Sequence, residues 1–365
     1  MGDSISWLHD NNRTEEAEAV EQVFDFRLKA AGTAYRANID VENIEELFSL
    51  ASASEGESHT DYVTKAIAAT LDYAQRTTGS SEAYLNTQVV GELPNRWRLL
   101  SQAEGANRGG YTHACPLYHL YAGMLSGYFS ESSPSTRNTI ITFNYDTLVE
   151  DALADLSTPF HYGLSSAAAT LQEGAKCSLS DQALAGAIPI LKLHGSINWA
   201  TPDNLNEMVK VYGSYDDVRA RGERILLLPP TWRKAFGGHL TGIWETALKA
   251  ISEATRIIII GFSMPPTDTH FKYLIASGLR DNISLRKLIF VNPSLRQEAE
   301  ILRNNLFNIL RPELESRGII VTRAEKTHEF LFDRENGLLT NRYVSSNYIR
   351  IGLNLNGVIH IQVRG

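Results

Sequence analysis

The sequence predicts a mixed α/β fold, a doubly wound Rossmann-like parallel sheet with a helical subdomain ahead of most of it. From Asn138 onward, short β-branched runs alternate with amphipathic stretches of helical period, which is typical of α/β proteins. Residues 257–260 form an unbroken isoleucine run. A strand without polar alternation is expected to be buried on both faces, as in a parallel sheet covered by helices.

Six β-branched runs are predicted strands, with helices between several of them. The strand candidates cover residues 139–144, 188–195, 224–230, 256–263, 287–292 and 318–323. The helix candidates cover residues 147–156, 240–254, 268–279 and 295–306. Because helical stretches of this kind suit crossover connections, the strands are expected to pair in parallel.

The chain divides by texture into three regions. Residues 1–130 are rich in Ala, Glu and Leu, with apolar positions every three to four residues, which predicts a mainly helical segment. Residues 131–325 hold the strand candidates and are predicted to form the Rossmann-like core. Residues 326–365 form a C-terminal extension, in which Asn356-Gly357 favours a hairpin turn.

Composition excludes several classes of protein. Of the 365 residues, 43% are hydrophobic and 21% are charged, and the net charge is −8. An acidic chain is a poor sequence-independent ligand for nucleic acid. The sequence shows neither a bilayer-spanning apolar run nor a signal peptide, so a cytoplasmic protein is expected. Cys115 and Cys177 are too few for a four-ligand zinc site and are expected to be reduced.

Polar side chains and glycines lie at the ends of five of the predicted strands or shortly beyond them. They are Asn144, Tyr145 and Asp146 at the end of the first strand, His194, Gly195 and Ser196 at the second, Trp232 and Lys234 at the third, Gly261, Ser263 and Asp268 at the fourth, and Asn292 at the fifth. Ligands bind at the carboxyl ends of the strands in doubly wound sheets. The sequence therefore predicts a pocket at this edge.

The chemistry of these residues suits a nucleotide and an activated water. An imidazole such as His194 titrates near neutral pH and can act as a base. The Asn144 carboxamide can orient a water or a ribose hydroxyl. Gly261 allows close backbone approach to a ligand, and Ser263 adds a hydroxyl donor. Asn292 follows the strand at which an α/β dinucleotide fold commonly contacts the ribose.

Structural roles are open for several of the same residues. Asn144 and Asp146 could cap the helix predicted at 147–156, and Asp268 could cap the helix predicted at 268–279, because Asn and Asp are favoured N-caps. His194 could be a turn residue of the core. Trp199 is expected to pack rather than to stack on a ligand.

Five motifs occur in order: ITFNYDTLVE, LKLHGSINW, LLPPTWRK, IIIIGFSMPPTDTHF and FVNPS. Taken as an ordered set, these motifs make the chain resemble the SIR2-like family of bacterial anti-phage defence proteins, and the resemblance covers roughly residues 40–295. That family is a branch of the sirtuin fold whose members hydrolyse NAD⁺ to nicotinamide and ADP-ribose. The resemblance implies antiviral NAD depletion without a metal, controlled by homo-oligomerisation or a regulatory partner protein.

The resemblance also assigns roles to individual residues. Asn144 and His194 fall on the catalytic pair of the family. The residues assigned to NAD binding are Asp146, Gly195, Ser196, Gly261, Ser263, Asp268 and Asn292.

Two departures from the sirtuin pattern keep other functions open. The four-cysteine zinc module of the deacylases is absent, which disfavours deacylation. The family also opens with a strand and a glycine-rich pyrophosphate turn, but Gly2 and Gly32 are the only glycines before residue 40. An NAD⁺ glycohydrolase is therefore predicted, with an NAD- or ADP-ribose-binding regulatory module and an ADP-ribosyl transferase or deacylase as alternatives.

Overall fold

The computed structural model describes most of the chain between residues 138 and 291 and several helices before it. The described residues are 2–36, 39, 41, 46–47, 50–51, 53, 61–77, 116–126, 138–201, 208–228, 238–260, 269–291, 316, 318, 320–324, 344–345, 348–349 and 358–362.

Helices dominate the described part of the first 130 residues, and strands alternate with helices after it. The helices are α1 (Gly2–Asp10), α2 (Thr14–Arg36), α3 (Asp61–Thr77), α4 (Pro116–Leu125), α5 (Leu148–Asp155), α6 (Tyr215–Ala220), α7 (Thr241–Glu253) and α8 (Thr269–Arg280). The strands are β1 (Thr139–Thr142), β2 (Phe160–His161), β3 (Ala169–Leu171), β4 (Ile188–Lys192), β5 (Gly195–Ala200), β6 (Val209–Val211), β7 (Ile225–Leu227), β8 (Arg256–Ile260), β9 (Lys287–Val291), β10 (Ile320–Ala324), β11 (Val344–Ser345), β12 (Tyr348–Ile349) and β13 (Val358–Gln362).

The main sheet has seven strands in the order β10-β9-β8-β13-β1-β4-β2. Every neighbouring pair in it is parallel. Three consecutive residues of β8, Ile257, Ile258 and Ile259, are at most 3% exposed. Helix α7 packs against β4 and α8. The predicted Rossmann-like α/β fold is confirmed, and the unbroken isoleucine run has the predicted burial.

Strand β13 occupies the centre of this sheet, between β1 and β8. Ile359 is level with Thr139 on one side and with Ile257 on the other. Because both edges of β13 are used by parallel neighbours, β13 does not form one arm of the antiparallel hairpin predicted around Asn356-Gly357. The C-terminal region therefore contributes a central strand to the main sheet, and its antiparallel pair lies earlier in the chain, between β11 and β12.

A second sheet of four strands, in the order β3-β6-β5-β7, lies outside the main sheet. The run predicted as a third parallel strand, 224–230, forms β7 and pairs antiparallel with β5. β5 begins at Gly195, which has a φ of +86°, and it belongs to the small sheet instead of continuing the main one. The prediction that 224–230 belongs to the parallel sheet is thus wrong.

The N-terminal helices pack on the small sheet. Buried side chains of α1, α2 and α3 form one apolar cluster with Ile197 of β5 and Leu227 of β7. Arg13, the residue before α2, forms ion pairs with Glu16 of α2 and with Asp72 of α3. The helical region and the small sheet therefore share one core.

The remaining sequence predictions fall partly within the described residues and partly outside them. The helices predicted at 147–156, 240–254 and 268–279 correspond to α5, α7 and α8, whereas 295–306 lies outside the described residues. Within the part of the chain that the structure covers, none of the helices has the length and apolar character of a membrane span. Cys177 is a free thiol, and burial raises its pKa to about 12. Cys115 lies outside the described residues.

The central position of β13 predicts a strong effect of proline there. His360 pairs with both Ile140 and Ile258, so its backbone N–H belongs to the hydrogen-bond ladder. We expect His360→Pro to lower the free energy of unfolding by at least about 1–3 kcal/mol, because a buried carbonyl loses its donor. Urea unfolding measures this loss.

The matched control is Leu171→Pro in β3, an edge strand. Gln172 donates its N–H to Val211, so the N–H of Leu171 points away from the sheet, and proline removes no ladder bond there. Equal effects of both prolines on the urea midpoint would contradict the central placement of β13.

Candidate active site

The ends of β1 and β4 bring the two predicted catalytic residues together. Thr142 is level with Lys192 in the parallel pairing. The N–H of Leu193 then donates to the Thr142 carbonyl at 3.0 Å, which extends the pairing beyond β4. The 143–147 segment and the 193–196 turn therefore leave the sheet side by side, with Asn144 in the first and His194 in the second.

His194 is 6% exposed and lies among aromatic rings. Its imidazole meets Phe143 edge-on at a centroid distance of 4.9 Å and Tyr145 at 6.2 Å. Trp244 of α7 approaches it at 6.4 Å. Phe143 and Tyr145 are the residues directly before and after Asn144. Asn144 therefore lies between the two residues whose rings contact His194. These contacts place Asn144 and His194 at the same edge of the sheet.

Hydrogen bonds to main-chain atoms fix the turn that carries His194. The His194 carbonyl accepts the N–H of Leu228 at 2.9 Å. The indole N–H of Trp244 donates to the Leu193 carbonyl at 3.1 Å, and the Tyr145 hydroxyl donates to the Leu228 carbonyl at 2.5 Å. The turn is therefore held by β7, α7 and the 143–147 segment together.

Asn144 and Asp146 differ in their surroundings. Asn144 is part-exposed, and its backbone N–H donates to Thr142 Oγ1 at 3.0 Å. Asp146 is 4% exposed, and its Oδ1 accepts the N–H of Leu148, the first residue of α5, at 3.2 Å. That contact is the helix-start role considered for Asp146. Asn144 is thus the more exposed of the two residues.

Gly195 and Ser196 shape the turn. With φ at +86°, a Cβ at Gly195 would lie 2.1 Å from the Leu226 carbonyl oxygen, so only glycine fits. Ser196 is fully buried and its hydroxyl donates to Asn198 Oδ1 at 2.6 Å. The contacts of both residues explain why small residues follow His194.

The remaining predicted NAD-binding residues, Gly261, Ser263, Asp268 and Asn292, lie outside the described residues, as do Trp232 and Lys234. The strands that precede Gly261 and Asn292 are described. Ile260, the last residue of β8, is level with Val291, the last residue of β9. β8 pairs on its other side with β13, and β13 pairs with β1.

A buried polar layer beneath the site was missed by sequence reasoning. Lys192 is 1% exposed, and its ammonium donates to Glu150 Oε1 at 2.8 Å and to the Asp146 carbonyl. Burial raises the pKa of the Glu150 carboxyl, and the neighbouring Lys192 opposes that rise. A lysine inside the otherwise apolar strand ILKLHG was the available signal.

Asn198 and Trp199 of β5 are also buried. Asn198 donates its amide to the Tyr212 carbonyl at 2.8 Å and lies 3.4 Å from the Tyr162 hydroxyl. Trp199 is fully buried against Tyr162, so it packs as expected. Among the residues that the structure covers, no three His, Cys, Asp or Glu side chains gather as metal ligands.

Comparison with known proteins identifies a family for part of the chain. Residues 138–310, a little under half of the chain, match the family model of the SIR2-like domain. The matched range contains both Asn144 and His194. No curated protein matches the chain. The SIR2-like character predicted from the ordered motifs is confirmed for residues 138–310, together with the Rossmann-like fold.

The backbone at Gly195 predicts a large cost of a single methyl group. Gly195→Ala adds a clash with the Leu226 carbonyl to the cost of a positive φ. We expect a loss of about 3 kcal/mol or more in unfolding free energy, as the sum of both effects. Chemical denaturation measures it.

Gly174→Ala separates the two effects. Gly174 has a similar φ of +85°, but a Cβ there meets nothing within 4 Å. We expect a loss of only about 1–2 kcal/mol from the backbone conformation. If Gly195→Ala were no worse than Gly174→Ala, the close approach of the turn to β7 would be wrong.

Proposed function

Residues 138–310 form a SIR2-like domain, a family that uses NAD, and on that basis we propose that the protein is an NAD⁺ glycohydrolase. One observation carries the proposal. The two residues that flank Asn144 both pack on the His194 ring, so a carboxamide and an imidazole share one edge of a parallel sheet. That edge is where doubly wound folds bind nucleotides.

The reaction breaks the bond between C1′ of the ribose and the nicotinamide nitrogen. The electron pair of that bond goes to the nicotinamide ring, which leaves as a neutral molecule, and the ribose develops oxocarbenium character. Water adds its oxygen to C1′. The proton that this water loses is accepted by His194, directly or through a ribose hydroxyl.

Asn144 would orient the attacking water. A carboxamide offers both a donor and an acceptor, so it can hold a water between itself and a ribose hydroxyl. Because nicotinamide in NAD⁺ is already a cationic leaving group, orientation is the main demand on the protein. The aromatic side chains around His194 fix the plane of its ring.

The NAD-binding residues remain part of the proposal. Gly261 and Asn292 follow directly after the ends of β8 and β9, and we assign them to the nucleotide with Ser263 and Asp268. Asp146, Gly195 and Ser196 are assigned to the nicotinamide side, where their contacts support the 143–147 segment and the 193–196 turn. β13 lies between β1 and β8 in the main sheet, so the end of β13 belongs to the same sheet edge.

The cellular role follows from the resemblance in the motifs. An enzyme that consumes NAD⁺ without control would harm its own cell. We propose that it acts in the cytoplasm in antiviral defence by NAD depletion, and that oligomerisation or a regulatory partner holds it inactive beforehand.

Release of nicotinamide from NAD⁺ tests the activity. We expect purified wild-type protein to release it, and Asn144→Ala and His194→Ala each to lower kcat by about 10²-fold or more, because each removes a group that handles the attacking water or its proton. Chromatographic quantification of nicotinamide and ADP-ribose measures both products.

His161→Ala is the matched control. His161 pairs with Pro189 near the start of β4, at the opposite end of that strand from His194. Its removal should leave kcat unchanged. NAD⁺-dependent thermal stabilisation without turnover would instead indicate a binding module, and turnover that requires an acetylated peptide would indicate deacylation.

A further inference from the structure

Lys192 is buried in the apolar interior next to the proposed catalytic pair. Its side chain is 1% exposed, and that of its partner Glu150 is 4% exposed, with 2.8 Å between Nζ and Oε1. Removing two charges from water is costly, and their attraction often does no more than offset that cost. A buried pair at this place is therefore weak evidence for a role in stability.

The second contact of Lys192 points to another role. Its ammonium donates to the main-chain carbonyl of Asp146, two residues after Asn144. The preceding carbonyl, that of Tyr145, accepts the N–H of Ile197 at 3.0 Å. The 143–147 segment is neither helix nor strand, so bonds of this kind set its path.

The register of the sheet joins this contact to the other half of the site. Lys192 is level with Thr142 and precedes His194 by two residues. The Lys192 side chain thus contacts the 143–147 segment, which carries the Asn144 carboxamide. The backbone that follows Lys192 continues to His194. Glu150, on α5, accepts a hydrogen bond from the same ammonium group.

We infer that Lys192 and Glu150 are a positioning pair for Asn144. The inference rests on the proposed function, because it assigns the pair a part in that reaction. Lys192 holds the 143–147 segment through the Asp146 carbonyl, and Glu150 keeps the ammonium aimed at that carbonyl. Neither side chain contacts the substrate.

A double variant separates positioning from stability. Lys192→Met alone leaves the Glu150 carboxylate buried without its cation, and should lower the urea midpoint. Lys192→Met/Glu150→Leu replaces both charges by apolar side chains, which restores the midpoint towards that of the wild type. A methionine cannot donate to the Asp146 carbonyl, so the segment stays unanchored.

Two readouts follow the segment in the double variant. We expect kcat for nicotinamide release to fall by about 10- to 10²-fold while KM changes by about twofold or less, as for a misplaced catalytic group. We expect backbone amides of residues 143–147 to exchange with deuterium at least about tenfold faster in mass spectrometry. The second readout needs no turnover.

Lys210→Met/Glu223→Leu carries the same two substitutions as a control. This ion pair has the same 2.8 Å length, but it is more exposed and links β6 to the stretch before β7. Its removal should change neither kcat nor exchange in the 143–147 segment.

The outcomes distinguish the inference from the proposed function. If wild-type protein hydrolyses NAD⁺ but the double variant keeps its kcat or its slow exchange, the pair is only structural and the inference is overturned. If wild-type protein releases no nicotinamide, the proposed function fails. Exchange then decides whether the pair holds the segment: faster exchange supports this, and unchanged exchange overturns it.

Discussion

The hydrogen bond between the Leu193 N–H and the Thr142 carbonyl is the constraint on which the site depends. It carries the β1–β4 register one residue past β4. The two chain segments consequently leave the sheet at the same level, and the ring contacts of His194 with Phe143 and Tyr145 follow from it. A slip of one residue would turn these side chains to opposite faces.

Local patterns in the sequence predicted where strands of the main sheet form better than they predicted which strands pair with one another. The β-branched runs at 139–144, 188–195, 256–263 and 287–292 all contain strands of the predicted sheet, because an unbroken apolar run requires burial on both faces. The run at 224–230 has the same texture and nevertheless pairs in the small sheet. The chain leaves the main sheet at Gly195, before this run, and no local pattern distinguishes a strand of the main sheet from one of the small sheet.

The same difference between local patterns and long-range contacts applies to the candidate site. Asn144 and His194 were predicted because the ordered motifs bring them to strand ends. Lys192, Glu150 and Trp244 were not predicted, since their contacts are with partners distant in the sequence: Lys192 and Glu150 are 42 residues apart. Burial of a charge is a tertiary property, and the sequence offers only a lysine set among apolar neighbours.

The place of β13 also has a consequence during synthesis of the chain. More than 200 residues separate it from β1 along the chain, yet the two are direct neighbours in the sheet. Until the ribosome has made residues 358–362, β1 and β8 each carry an unfilled edge that can recruit foreign strands. A nascent chain therefore passes through a long interval in which the sheet has a gap at its middle, and chaperone protection matters most then.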